Sequence, residues 1–108
     1  MSEVSDFFDK VSSKVDPAKI AGMNATYQFD ITGDGGGQWA VKIHDGVGEV
    51  VAGTVESPSI TLTMDAANFI ALITGKLNGQ TAFLTGKLKI KGDMTLAMKL
   101  QSVFALGS

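Results

Sequence analysis

The chain has 108 residues, with nine lysines, eleven acids, no arginine and no cysteine, and a formal net charge of −2. At that length folding buries roughly two-thirds of the unfolded chain's surface, so one core and a single domain over residues 1–108 are expected. Without arginine the chain lacks the best side chain for bidentate phosphate and guanine contacts, and without cysteine it has no disulfide, thiolate nucleophile or cysteine-held metal; no nucleic-acid partner is expected.

The opening "MSEVSDFFDK" has neither a basic region nor an apolar run, and no stretch approaches the roughly 20 apolar residues that span a bilayer, so a soluble cytoplasmic protein is expected. In residues 3 to 15, Val4, Phe7, Phe8, Val11 and Val15 fall within about 100° of one another, the pattern of an amphipathic covering helix. Pro17 restarts the chain as the first residue of a short helical turn capped by Asp16. "ATYQFDIT" (25–32) alternates, with Tyr27, Phe29 and Ile31 on one face and Gln28, Asp30 and Thr32 on the other. "QWAVKI" (38–43) repeats the pattern and "EVVAGTV" (49–55) gives a third strand. The connections "GDGGG" and "HDGVG" suit positive φ and predict two successive hairpins. "SITLTM" (59–64) follows Pro58 as a fourth strand, so the sheet has one dry face and one polar face.

Asp65 caps a helix over "AANFIALITGKL" (66–77), and Asn78 begins a shorter helical turn carrying Phe83 and Leu84. "GKLKIKG" (86–92) is a fifth strand, with Leu88 and Ile90 inward and Lys87, Lys89 and Lys91 outward. Asp93 then caps the last helix. Helices over a single dry face make a two-layer α+β domain. No internal repeat is evident.

The last two main helices are too apolar for one sheet. Val103, Leu96, Leu100, Phe104, Ala97, Met94 and Met98 spread across about 220°, where a core-facing stripe needs about 100°. Either these helices pack on neighbours as well as on the sheet, or they enclose a cavity. Met94 and Met98 are flexible, polarizable side chains suited to varied partners and equally to filling gaps. Gln101 lies beside them at the edge of the apolar arc.

The run "FIALITGKLNGQTAFLTGKLKIKGDMTLAMKLQ" (69–101) closely resembles the signature of the sterol carrier protein 2 family, the non-specific lipid-transfer proteins, and the strands before it follow the family's order. The resemblance implies a five-stranded mixed sheet covered on one face by helices that enclose a hydrophobic tunnel. It implies a ligand drawn from fatty acids, fatty acyl-CoA, phospholipids or sterols, and no cofactor. Gln80 and Met98 match positions that the family places at the tunnel. Helical geometry adds Phe69, Ile73, Phe83, Leu84, Met94, Val103 and Phe104 as lining, with Gln101 at the edge. Two departures stand out: Gly79 replaces a frequent proline, and the tail stops short of the extension that carries a peroxisomal signal in some members.

The expected function is therefore passive lipid carriage by a monomer, each buried methylene contributing about 0.8 kcal/mol. The mouth is expected to open through the C-terminal tail from about Val103 onward. The lysines have two readings: transient contact with anionic membranes, at roughly 1 kcal/mol per lysine near the surface, or a solvated face that blunts an edge strand. Catalysis is not expected, since the lone His44 sits in a hairpin turn and "GDGGG" lacks the Lys-Ser/Thr of a phosphate loop. The alternative function is a non-catalytic accessory module that docks on an enzyme of lipid metabolism.

Overall fold

The computed structural model describes residues 3–15 and 17–104, apart from the side chains of Ser12, Lys14 and Gln101. The alternating segments form strands β1 (Ala25–Thr32), β2 (Gly37–His44), β3 (Val47–Ala52), β4 (Ile60–Asp65) and β5 (Lys89–Gly92). They make one sheet in the order β3-β2-β1-β4-β5. Every neighbouring pair is antiparallel except β1 and β4, which run parallel. The second hairpin closes through Asp45 and Gly46, both at positive φ, as a two-residue turn that follows the sheet's twist requires.

The helices are α1 (Glu3–Lys14), α2 (Pro17–Ile20), α3 (Ala66–Ile73), α4 (Gly79–Leu84) and α5 (Met94–Val103). The helix α1 lies against β3 and α3, whereas α5 lies against β4 and β5. Register places inward side chains side by side: Tyr27 between Val41 and Ile60, and Phe29 between Trp39 and Leu62. Around them an aromatic cluster fills the space under α1 and α3. Phe8 stacks on Trp39 at 4.5 Å and on Phe69 at 5.5 Å, and Phe104 meets Tyr27 and Phe29 edge-on.

Three details differ from the sequence reading. The helix expected over 66–77 stops at Ile73, because Thr74 turns its hydroxyl onto the Ile70 carbonyl (2.7 Å) and Gly75 enters the left-handed region. The amides of Lys76 and Leu77 then both donate to the Ala71 carbonyl. The same stop ends α4, with Thr85 bonded to the Thr81 carbonyl, Gly86 at φ 78°, and the amides of Lys87 and Leu88 on Ala82. A seven-residue repeat, ALITGKL at 71–77 and AFLTGKL at 82–88, encodes this stop twice, which corrects the expectation of no internal repeat.

The third difference concerns the polar face of the sheet. The chain leaves β3 at Ala52 and crosses over that face to reach β4. Gln28, only 3 % exposed, holds the crossing segment: its amide donates to the carbonyls of Trp39 and Gly53 and its oxygen accepts from the Val55 amide. A polar residue in an outward position is thus buried because a loop passes over it and its hydrogen-bonding capacity is met. Asp16, read as a cap, lies outside the described residues.

Candidate functional site

The C-terminal third of the chain builds an apolar groove from α4, β5 and α5. Asn78 starts α4 by accepting from the amides of Gln80 (2.8 Å) and Thr81 (3.3 Å), and the Gly86 stop ends it one and a half turns later. Leu88, the last residue before β5, and Ile90 within it line the groove, and alternation leaves Lys89 and Lys91 exposed on the other side. Gly92 ends the strand at φ 116°, where a Cβ would stand 2.6 Å from the Ser59 carbonyl oxygen, so only glycine fits this approach to β4. Asp93 follows directly. Its amide donates to that same Ser59 carbonyl, and its carboxylate caps α5 through the Thr95 amide.

The two sides of α5 have different tasks. Leu96, Leu100, Val103 and Phe104 are buried against the sheet, and the Tyr27 hydroxyl donates to the Leu96 carbonyl at 2.9 Å. Met94 and Met98 point the other way. Burial pushes the Tyr27 phenol up to about 12, and the Asp93 carboxylate adds to the shift. This neutral hydroxyl fixes the height of α5 over β1. In contrast, α4 buries only Ala82, so its attachment to the body is slight.

The resulting cavity has a volume of about 450 Å³, within the usual range for small-molecule sites. Its walls are Phe83, Leu84, Leu88, Ile90, Met94, Ala97, Met98 and Leu100, with Asn78, Gly79 and Gln80 at one end. No lining side chain is charged. The rim is open to solvent: Leu84 is 73 % and Met98 84 % exposed. Such a surface accommodates an aliphatic chain by exclusion of water, with polar groups confined to the α4 start.

Nine of the ten residues singled out from the sequence separate into two groups. Gln80, Phe83, Leu84, Met94 and Met98 come together around the groove. Phe69, Val103 and Phe104 are buried in the core, and Ile73 packs against that core. Gln101 lies on α5, but its side chain is outside the described ones. The burial of Val103 and Phe104, each 1 % exposed, also corrects the expectation that a mobile tail begins at Val103. Residues 105–108 are outside the described part. Sequence reasoning had set Leu88 and Ile90 inward without assigning them to the site, and it passed over Ala97, Leu100, Asn78 and Gly79. The signal for the first two was present, since a strand that alternates leucine and isoleucine with lysine must face something apolar.

His44 lies at the opposite edge of the sheet, exposed on the β2–β3 hairpin, with Asp45 at 3.5 Å and Glu49 at 3.4 Å. Among the described residues no helix is long and apolar enough to cross a membrane.

Comparison with known proteins agrees with this architecture. The chain is 44 % identical over 85 residues to sterol carrier protein 2 of Homo sapiens, a match covering 79 % of this chain and 16 % of the human protein. It is 35 % identical over 103 residues to hydroxysteroid dehydrogenase-like protein 2 of Xenopus tropicalis, covering 94 % of this chain and 25 % of that protein. It therefore spans about a quarter or less of these curated relatives. The solution structure of palmitated SCP2L2 from Aedes aegypti superposes with a TM-score of 0.71 at 25 % identity, covering 96 % of this chain and 95 % of that one. Residues 5–105 match the SCP-2 sterol transfer family, and the five-stranded mixed sheet with its helical layer is the fold of these relatives, so the chain belongs to that family.

Proposed function

We propose that the chain is a non-catalytic lipid carrier that holds the acyl or sterol part of its ligand in the groove between α4, β5 and α5. The carrying observation is the groove itself, with eight apolar side chains and no charge around about 450 Å³. The palmitated Aedes relative supports a fatty acid as the first ligand class to test, with acyl-CoA, phospholipid and sterol beside it. At about 0.8 kcal/mol per buried methylene, a dozen carbons supply roughly 10 kcal/mol before ordering costs, which leaves a net gain of several. Selectivity is then weak, because the walls offer two methionines and few fixed polar groups. Gln80, exposed at the polar end, is the side chain placed to meet a head group.

The test is a pair of charge insertions, Phe83→Lys and Met98→Lys. Both residues are at least 41 % exposed, so folding should survive with a melting temperature within a few degrees. Uptake of a fluorescent fatty acid should fall by about tenfold or more, since an ammonium would have to be desolvated beside the chain. Unchanged uptake in folded variants would remove the groove from consideration.

A second reading, an accessory module joined to an enzyme, is favoured by one observation: the relatives carry this unit as a quarter or a sixth of a much longer chain. The two readings are compatible, because a tethered carrier can present its ligand to an attached active site.

A further inference from the structure

Sulfur chemistry in this chain belongs to methionine alone, since there is no cysteine. Of the five methionines, Met1 lies outside the described residues. Met64 is a core residue of β4, only 4 % exposed, and Met23 is half-buried against the same core. Met94 and Met98 are 46 % and 84 % exposed, and both line the groove. They stand one turn apart on α5, so the thioethers most open to water among the described residues are neighbours on a single wall.

We propose that Met94 and Met98 form a peroxide-sensitive modification site that controls the groove: conversion of their thioethers to sulfoxides lowers lipid affinity, and a bound lipid shields them from oxidation. The chemistry is oxygen transfer. The sulfur lone pair attacks one oxygen of hydrogen peroxide, and the O–O bond breaks. The second oxygen leaves as hydroxide, takes the proton carried over on the first, and departs as water. Each sulfur thereby loses two electrons, which a thiol-dependent sulfoxide reductase returns. The product is a polar acceptor in place of a flexible apolar side chain. In an open groove the sulfoxide oxygen is met by water. Under a lipid it faces the hydrocarbon of Phe83, Leu84, Leu88, Ile90, Ala97 and Leu100, which offers no donor, because the polar residues of the lining gather at the start of α4. An unpaired polar group costs free energy that only the filled state incurs, so oxidation favours the empty groove. Shielding follows from the same geometry, since an occupant that covers this wall excludes peroxide. The inference deepens the lipid-carriage reading and rests on it.

The test starts from delipidated protein treated with millimolar hydrogen peroxide, quenched with catalase, and followed by peptide mass mapping and by uptake of a fluorescent fatty acid. Met98 should gain oxygen first and Met94 next, with Met23 and Met64 last. Fatty-acid affinity should fall about tenfold or more once both groove methionines are oxidised. The melting temperature should stay within a few degrees, since neither side chain belongs to the core. Methionine sulfoxide reductases A and B with dithiothreitol, which together act on both sulfoxide epimers, should restore uptake. Palmitate, a saturated chain inert to peroxide, should slow oxidation of the pair severalfold. The double variant Met94→Leu/Met98→Leu, compared with its own untreated sample, should be indifferent to peroxide, whereas Met23→Leu should respond as the parent does. The inference is overturned by oxidation of Met23 ahead of the pair, by a loss of uptake that the reductases do not reverse or that tracks a fall in melting temperature, by an absence of protection from palmitate, or by an equal loss in the double variant. Uptake that survives oxidation at both positions would remove the switch and leave carriage standing, whereas untreated protein that takes up no fatty acid would remove both.

Discussion

Two consecutive residues of β1 hold opposite faces of the sheet in place. Tyr27 points into the helical layer and fixes α5 through Leu96, while Gln28 points outward and fixes the segment that crosses from β3 to β4. The tyrosine carries a pH dependence whose sign follows from its burial. Unfolded, the phenol ionises near pH 10; folded, it resists ionisation until about pH 12. Its contribution to stability is therefore intact below pH 10 and is lost as pH rises from there toward 12. Tyr27→Phe should cost about 1 kcal/mol at pH 7, one hydroxyl bond to an already helical carbonyl. The same variant should flatten the decline of stability between pH 10 and 12, as read by urea denaturation at each pH. An equally steep decline would assign it to the lysines.

At the scale of elements, the groove joins a fixed wall to a loosely held one. The helix α5 and its C-cap Phe104 bury four large side chains and α4 buries Ala82, so α4 is the part expected to yield when a ligand enters the proposed groove. Asn78 is the cap that organises it. Asn78→Ala should cost α4 about 1 kcal/mol, raising the rate of ligand release severalfold in stopped-flow displacement while leaving the global melting temperature nearly unchanged. Slower release would show that the wall opens elsewhere. The strands that alternate cleanly were legible because alternation has a period of two: β1 runs over the residues that alternate, and β2 and β4 each differ by one residue at each end, whereas β3, expected over 49–55, lies two to three residues earlier and β5, expected over 86–92, begins only at Lys89. The stop of α3 was not, because ITGKL continues the apolar helical pattern, and only the pairing of Thr74 with Gly75 announces the turn.

Across the whole molecule, the site was half legible. Helical angle alone cannot tell the side of α5 that seals the core from the side that lines the groove, since both are apolar. Hence Val103 and Phe104 were grouped with Met94 and Met98, although the structure parts them. The separation depends on which strand lies beneath, and strand order is a long-range property. That order has a kinetic consequence. The hairpins β1–β2 and β2–β3 close locally, but β4 must return to pair with β1, bringing Ile60 beside Tyr27 across some thirty residues, and β5 can join only after β4 is in place. Distant pairings form late because the intervening chain must first surrender its freedom. The groove's floor is thus the last strand to arrive and, at four residues on an edge, the first to leave. Amide hydrogens of Ile90 and Lys91 should accordingly exchange with deuterium well before those of Phe29 and Val41, and added fatty acid should close that gap by slowing the former. A carrier assembled in this sequence finishes its nascent fold at the groove proposed for its cargo, so on that proposal the lipid acts as its last structural element.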